Sequence, residues 1–318
     1  MRTLEPPSLA EIRAARDRIA GSAIRTPLVR FEVDGPARIF LKLENLQPIG
    51  SFKLRGAGNA IAMRSKEELA RGVYSASAGN MAQGLAWHAR RLGISCTVVV
   101  PDSAPSTKIA AIKRLGASIV PLPFADWWRV IETHHHPGID ATFIHPVSDP
   151  AVIAGNATIG LEIFEDLPDV DTVLVGYGGG ALSSGIATAL HAVKPGTKVY
   201  ACEVTTAAPF AASLSAGRPV SVDYVPSFID GIGGRTMLAE MWPLASRVLA
   251  GSLLVSPDEA AAALRLMVER NHVVAEGAGA VPVAAALSGK AGAGTIACVV
   301  SGGNIDAAKL AAILNGEA

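Results

Sequence analysis

The sequence predicts an α/β protein in which helices cover both faces of parallel β-sheets. From residue 39 onward, short β-branched and apolar runs alternate with longer helical patterns, and 32 glycines supply residues for tight strand-to-helix turns. Such alternation is typical of parallel sheets, whose strands are joined by crossover helices. The predicted strands cover residues 39–43, 72–75, 95–101, 118–122, 172–175, 198–202, 252–255 and 295–300. The predicted helices cover residues 9–20, 54–63, 80–92, 105–115, 149–165, 180–193, 257–271, 279–287 and 305–314.

The chain divides into two predicted domains, with a small one inserted into a large one. Residues 66–147 form a self-contained succession of strands and helices, and residues 1–65 and 148–318 form the large domain. An insertion of this kind places a cleft between the two domains, and ligands tend to bind in such clefts. The prediction therefore places a binding site where the two domains meet.

Composition and charge exclude several classes of protein. Of 318 residues, 50% are hydrophobic and 18% are charged, and the formal net charge is zero, which is typical of a globular protein. No basic patch favours a nucleic acid partner, and no uncharged apolar run reaches the roughly 18 residues that a membrane span needs. The odd number of cysteines, without a Cys-x-x-Cys pair, indicates neither a disulfide framework nor a zinc site. We therefore expect a cytoplasmic protein with no nucleic acid or membrane partner.

The first candidate for chemistry is Lys53, which stands beside Phe52 where a predicted strand turns into a helix. A helix N-terminus carries partial positive charge, and desolvation also disfavours a charged amine, so both lower the pKa of the lysine. An uncharged amine is the form that makes a Schiff base with an aldehyde. When this segment is taken alone, a solvated surface lysine is the better explanation, because most lysines are solvated.

Three loops rich in Gly, Ser and Asn each follow a predicted strand and precede a predicted helix: residues 75–80, 176–185 and 301–304. Consecutive glycines let main-chain N–H groups converge, and a helix N-terminus adds its dipole, so such loops bind anions. Ordinary turn and cap chemistry explains any one of them. Three at the carboxyl ends of strands predict a ligand site, because ligands bind at that edge of an open α/β sheet.

A dinucleotide enzyme is an alternative interpretation of the second loop. Gly176, Gly178 and Ala181 match the Gly-x-Gly-x-x-Gly/Ala fingerprint, and Glu203 ends the next strand, where an acid that binds ribose would lie. A nicotinamide or flavin oxidoreductase, or a catalytically silent binder of small molecules, would account for this loop. Neither gives a role to Lys53 or to the loop around Asn80.

Four segments in this order, Leu-Lys-Leu-Glu-Asn at 41–45, Gly-Ser-Phe-Lys at 50–53, Ser-Ala-Gly-Asn at 77–80 and Ser-Gly-Gly-Asn at 301–304, resemble the fold-type II pyridoxal-phosphate (PLP) enzymes. This fold resembles the β subunit of tryptophan synthase, and the most similar group is the serine/threonine dehydratase family. The match runs from Arg25 to Asn304, which is nearly the whole chain. It implies PLP as the cofactor and a homodimer as the assembly.

The resemblance also implies a role for individual residues. Lys53 would form the Schiff base with PLP, Phe52 would lie near the pyridine ring, and Ser301 would face the pyridine nitrogen. Asn80 would bind the phenolic oxygen of the ring. The implied phosphate cradle is Gly178, Gly179, Gly180, Ala181 and Leu182. The implied site for the substrate carboxylate is Ser77, Ala78, Gly79 and Asn80.

The implied reaction is β-elimination of a 3-hydroxy amino acid such as threonine or serine, which yields a 2-oxo acid and ammonia. Ser301 is a neutral partner for the pyridine nitrogen, so a long-lived carbanion is poorly stabilised and loss of a leaving group is favoured. Ala78 stands where racemases of this group carry a serine, and alanine transfers no proton. The alternatives are an amino acid racemase, a β-replacement enzyme, or a dehydratase for a bulkier phenylserine-like or hydroxyaspartate-like substrate.

Several residues depart from the family pattern. Ala181 replaces a fourth glycine, which would cost about 1 kcal/mol if that position needed a positive φ, and Met81 stands where histidine is common. Glu203 matches the first acid of a divalent-cation site found in some relatives, but Pro209 falls near the second, so we expect no metal. We expect residues 134–136, three histidines, to be a solvated loop. Because the catalytic part of the chain extends to about residue 314, we also expect no C-terminal regulatory domain.

Overall fold

The computed structural model describes residues 4–317, which contain two mostly parallel sheets. The six-stranded sheet has the order β1-β2-β10-β7-β8-β9 and the four-stranded sheet has the order β5-β4-β3-β6. The strands of the first are β1 (Leu28–Phe31), β2 (Ala37–Leu43), β7 (Thr172–Gly176), β8 (Lys198–Val204), β9 (Gly251–Val255) and β10 (Gly294–Val300). Those of the second are β3 (Val73–Ala76), β4 (Cys96–Pro101), β5 (Ser118–Leu122) and β6 (Thr142–Phe143).

Helices connect these strands and cover the sheets. They are α1 (Leu9–Ile19), α2 (Lys53–Ala62), α3 (Lys66–Ala70), α4 (Asn80–Leu92), α5 (Ser106–Arg114), α6 (Phe124–Thr133), α7 (Pro150–Asp166), α8 (Ala181–Val193), α9 (Pro209–Ala216), α10 (Trp242–Val248), α11 (Pro257–Asn271), α12 (Gly277–Leu287) and α13 (Ala307–Asn315). Two short 3-10 helices cover Glu44–Leu46 and Ala239–Met241. Within residues 4–317, no helix is both long and apolar enough to cross a membrane.

The predicted α/β class is confirmed, and each predicted strand and helix is present with its ends shifted by a few residues at most. Other elements were not predicted, among them β1, β6, α3 and α9, because short segments without a clear apolar pattern give a weak periodic signal. β1 pairs antiparallel with β2 at the edge of the larger sheet. All four strands of the smaller sheet lie within residues 66–147, but the division into domains at these residues stays a prediction.

The parallel pairing in the larger sheet gathers three strand ends at one edge. β10 pairs in parallel with both β2 and β7, with Val300 opposite Leu43 and Cys298 opposite Leu174. Along β7, Val173 and Val175 pack in the core that contains α7 and α8, whereas Leu174 packs in the core that contains α11 and α12. Since both faces are covered by helices, the loops at this carboxyl edge are where a ligand site is expected.

A cluster of four buried charges joins β2, α2 and α7. The side chains of Lys42, Glu44, Arg55 and Glu162 are each at most 5% exposed. Arg55 bonds to Glu162 at 2.6 Å and to Glu44 at 2.8 Å, and Lys42 bonds to Glu162 at 2.6 Å. Burial by itself raises the pKa of Glu44, but the charge and hydrogen bonds of Arg55 hold that pKa below its usual value. The two cations and two anions balance, so each charge in the cluster has a partner of opposite sign.

We predict that Glu162→Gln strongly destabilises the protein. The substitution removes one anion and leaves Lys42 and Arg55 buried with Glu44 alone, a loss that should lower the free energy of unfolding by about 3–5 kcal/mol. The matched control is Asp140→Asn, an acid-to-amide change in an exposed pair with Arg71, which should change it by less than about 1 kcal/mol. Urea denaturation measures both, and equal effects would contradict the prediction.

Candidate active site

Lys53 is the first residue of α2 and is partly buried at the carboxyl edge of the larger sheet. Its Nζ donates a hydrogen bond to the carbonyl of Pro146 at 2.8 Å. Burial lowers the pKa of the amine to about 8, against the opposing effect of the Glu276 charge. The lowered pKa expected from the sequence is therefore confirmed, and a sizeable fraction of the amine is uncharged slightly above neutral pH.

The glycine loop after β7 forms an N–H cradle at the start of α8. The main-chain N–H groups of residues 178–182 donate to no other residue among those that the structure describes. Gly180 has a φ of 90°, whereas Ala181 is already helical. The residue that needs a positive φ is therefore Gly180 and not Ala181, so the alanine at position 181 is not strained. Converging unpaired N–H groups at a helix N-terminus suit a phosphate.

The second loop ends at Asn80, the first residue of α4. In this loop the Ser77 hydroxyl accepts a hydrogen bond from the N–H of Gly79 at 3.3 Å. The Asn80 amide is oriented from both sides: Nδ2 of Asn304 donates to its Oδ1 at 2.9 Å, and its own Nδ2 donates to both carboxylate oxygens of Glu276, at 2.9 and 3.2 Å. These partners fix the orientation of the Asn80 amide beside the buried carboxylate of Glu276.

The end of β10 lies directly against the segment that carries the lysine. The N–H of Phe52 donates to the carbonyl of Ser301 at 3.0 Å, and Ser51 forms a β-bridge with Gly302. Ser301 is only 4% exposed. The structure therefore brings together Lys53, the Asn80 loop and Ser301, although Ser301 lies near the opposite end of the chain from the other two.

Glu276, which no pattern in the sequence indicated, lies at the centre of this arrangement. A Cβ atom at Gly302 would meet its Oε1 at 2.5 Å, so the loop after β10 closes tightly over the carboxylate. Burial raises the pKa of Glu276 to about 7. In sequence, an acid before α12 is typical of a helix cap, but its side chain makes no capping bond and turns to Asn80 instead. Only the tertiary structure separates these two roles.

Glu203 is buried and its oxygens are occupied. It accepts from the N–H groups of Phe210 at 2.9 Å and Ala211 at 2.8 Å, and from the hydroxyl of Ser252 at 2.6 Å. Burial raises its pKa, which these hydrogen bonds partly offset. The carboxylate therefore does not reach a ribose in the way that a dinucleotide enzyme requires. The expectation that Glu203 holds no metal stays a prediction.

Taken together, the site offers an amine of lowered pKa, a row of free N–H groups and an oriented amide beside a buried acid. An aldehyde would bond to the amine, and a phosphate would fit the N–H cradle without competition from any side chain. A phosphorylated aldehyde with a polar ring substituent has this combination of groups. The geometry and the two parallel sheets thus define a PLP-dependent enzyme of the α/β class.

A family model described as "Pyridoxal-phosphate dependent enzyme" matches residues 19–302, and the chain belongs to this family. An L-threonine ammonia-lyase from Thermotoga maritima is 41% identical, over 97% of this chain and 78% of the relative. The structure of the processed form of threonine deaminase isoform 2 from Solanum lycopersicum has a TM-score of 0.84 at 30% identity, covering 99% of this chain and 93% of that one. Maize serine racemase has a TM-score of 0.87 at 30% identity, covering 98% of both chains. The predicted family, fold type and cofactor are confirmed.

We predict that Gly179→Ala weakens PLP binding. A Cβ atom there would meet the Val147 side chain at 2.4 Å, so the cradle or the segment around Val147 must shift, at a cost of about 1–3 kcal/mol or roughly 5- to 150-fold in affinity. The control is Gly21→Ala, where nothing lies within 4 Å of an added Cβ. Spectroscopic titration of the apoprotein with PLP measures both affinities, and an unchanged affinity in Gly179→Ala would contradict the prediction.

Proposed function

We propose that this protein is an ammonia-lyase that converts threonine or serine to a 2-oxo acid and ammonia. The observation that carries the proposal is the amine of Lys53, which has a pKa of about 8 and contacts the segment that lines the N–H cradle. The similarity to an L-threonine ammonia-lyase along 97% of the chain supports threonine as the substrate. The reaction is β-elimination at a 3-hydroxy amino acid.

Lys53 has two tasks in this proposal. Its amine would hold PLP, and the same amine, when free, would take the proton from the substrate Cα. PLP, when bound, supplies the electron-withdrawing ring that makes this proton acidic. The carbonyl of Pro146 accepts a hydrogen bond from Nζ and so directs the amine toward the cleft.

Two helix N-termini would each bind one anionic group, the phosphate of PLP or the carboxylate of the substrate. The N–H groups of residues 178–182 at the start of α8 would hold the phosphate, and the loop of residues 77–80 at the start of α4 would hold the substrate carboxylate. Each terminus offers unpaired N–H groups and the positive end of a helix dipole. The substrate is then held by its carboxylate while its Cα faces Lys53.

Three further residues would orient the ring. Asn80, whose amide is held by Glu276 and Asn304, would turn an N–H from Glu276 to the phenolic oxygen. Ser301 would meet the pyridine nitrogen with a neutral hydroxyl, and Phe52 would lie along the ring. A neutral partner for the nitrogen favours rapid loss of the β-substituent over a persistent carbanion.

The atoms balance without a further reactant. The Cα–H bond breaks and its proton passes to Lys53, then the Cβ–O bond breaks and the leaving hydroxyl takes up one proton, which replaces in number the one removed from Cα, and departs as water. The unsaturated amine that is released takes up one water molecule and yields the 2-oxo acid and ammonia. One water leaves and one enters, so the net reaction is loss of ammonia.

A racemase is the second candidate, since maize serine racemase has a very similar fold. Two-base racemisation needs a proton carrier on the face of the substrate opposite Lys53. Position 78 is alanine in this chain, which carries no transferable proton, and this residue favours the lyase. A β-replacement enzyme or a lyase for a bulkier 3-hydroxy amino acid would use the same lysine and cradle.

Incubation with a panel of 3-hydroxy amino acids tests the proposal. We expect 2-oxo acid and ammonia to form in equal amounts from threonine or serine, with the remaining substrate unchanged in chirality. Lys53→Ala should lower kcat by at least about a thousandfold, because it removes both the anchor and the base. Racemisation faster than formation of 2-oxo acid would instead support the second candidate.

The rate of covalent PLP attachment should depend on pH through the pKa of Lys53. Only the uncharged amine attacks the aldehyde, so the rate should rise with pH and level off above the folded-state pKa of about 8. Since the charge of Glu276 raises that pKa, Glu276→Gln should move the midpoint to lower pH. Stopped-flow absorbance measures both, and a midpoint near the usual lysine value of about 10.4 would contradict the prediction.

We also propose a homodimer in the cytoplasm. The family resemblance supports the dimer, and zero net charge leaves association unopposed. The three cysteines are buried and free, which supports a reducing compartment. No nucleic acid or membrane partner is part of the proposal.

A further inference from the structure

The segment from His145 to Ser148, which we call the 145–148 turn, contacts the cofactor site at two points. Its Pro146 carbonyl accepts the hydrogen bond from Nζ of Lys53 at 2.8 Å. Its Val147 side chain packs so closely on Gly179 that a Cβ atom there would lie 2.4 Å away. A shift of this turn would therefore move the lysine partner and the wall of the cradle together.

The turn is held in place by a carboxylate outside the site. The hydroxyl of the fully buried Ser148 donates a short hydrogen bond to Oε1 of Glu240. Nε2 of His134 lies 3.0 Å from the same oxygen. His134 follows α6, which belongs to the residues around the smaller sheet, whereas Glu240 precedes α10 beside the larger sheet. Glu240 thus ties the turn to both parts of the chain.

His134 ends α6 as its C-cap residue, in the left-handed conformation. Its φ is 58°, and among residues 4–317 only His272 is another non-glycine residue with a positive φ. Its ring lies over that of His145, with centroids 4.3 Å apart. The expectation of a solvated loop is therefore wrong for His134, whose side chain is only 26% exposed and meets an acid distant in sequence.

A metal site is the alternative explanation, because ligand atoms of His134, His145 and Glu240 lie within 4.8 Å of one another. A histidine ligand needs an unshared lone pair. Nδ1 of His145, however, accepts the N–H groups of Val147 at 3.0 Å and Ser148 at 2.7 Å. Its Nε2 lies 3.1 Å from the carbonyl of Ile131, where it donates. Both nitrogens of His145 are hydrogen-bonded to main-chain groups. Hydrogen bonds within the protein therefore explain this cluster better than a metal ion does.

We propose that Glu240 is a positioning residue for the cofactor site. By accepting from Ser148 and His134 it holds the 145–148 turn, and the turn sets the Pro146 carbonyl against Lys53 and Val147 against the phosphate cradle. Glu240 also joins the two sheet-containing parts of the chain beside the cleft. The role concerns PLP binding and the lysine, so it is independent of which amino acid the enzyme prefers.

A matched pair of variants at Ser148 isolates the hydrogen bond from its hydroxyl to Glu240. Ser148→Thr and Ser148→Val add nearly the same volume to a buried site, but only threonine retains the hydroxyl. We expect valine to weaken PLP binding to the apoprotein about tenfold more than threonine, the effect of one lost buried hydrogen bond. The visible absorption band of the bound cofactor should titrate at a shifted pH in the valine variant and at the wild-type pH in the threonine variant.

Glu240→Gln is a second test of the proposal, at a residue that is not fully buried. The amide keeps the shape but lacks the charge that Ser148 and His134 contact, so PLP affinity and the titration midpoint should change in the same direction as in Ser148→Val. Urea denaturation of each apoprotein accompanies the titrations. A changed free energy of unfolding with unaltered PLP affinity and an unaltered pH midpoint of the cofactor band would overturn the proposal. Equal PLP affinities and midpoints in the threonine and valine variants would also overturn it. Saturable Zn²⁺ binding that is lost in Glu240→Gln would also overturn it. None of these outcomes bears on the assay of 2-oxo acid products.

Discussion

The buried charge cluster is the constraint on which the active site depends. Arg55 lies two residues after Lys53 in α2, and its guanidinium is bonded to Glu44 after β2 and to Glu162 in α7. An ion pair removed from water must be closely matched, because an unpaired buried charge costs several kcal/mol. The start of α2 therefore has one favourable position relative to the sheet, and that position sets where the amine of Lys53 emerges.

Burial shifts the pKa values of the two ionisable groups of the site in opposite directions. It lowers the pKa of Lys53 to about 8 and raises that of Glu276 to about 7, so both approach neutrality. Each also favours the charged form of the other, which limits the shifts. A lysine whose pKa lies near neutrality can act as nucleophile and base. The site thus combines reactive side chains with unpaired main-chain N–H groups that hold anions.

Much of this site could be predicted from the sequence because its parts are local. Lys53 at a helix start and the glycine run at 178–180 are recognisable from neighbouring residues, and the structure has both at helix N-termini. Glu276 and Glu240 could not be found in this way. Each is an acid near the start of a helix, where acids are ordinary, and their partners Asn80 and Ser148 lie 196 and 92 positions away.

The sequence by itself determined the order of strands and helices, the residues at their turns and the identity of the family, because periodicity, glycine placement and short motifs depend on neighbouring residues. Tertiary structure decided which of these features meet. It placed the Asn80 amide on Glu276, balanced the four buried charges and turned His134 from a polar loop residue into a partner of Glu240. Such contacts depend on how sheets and helices pack, since hydrogen bonds and desolvation act through space between residues far apart in the chain.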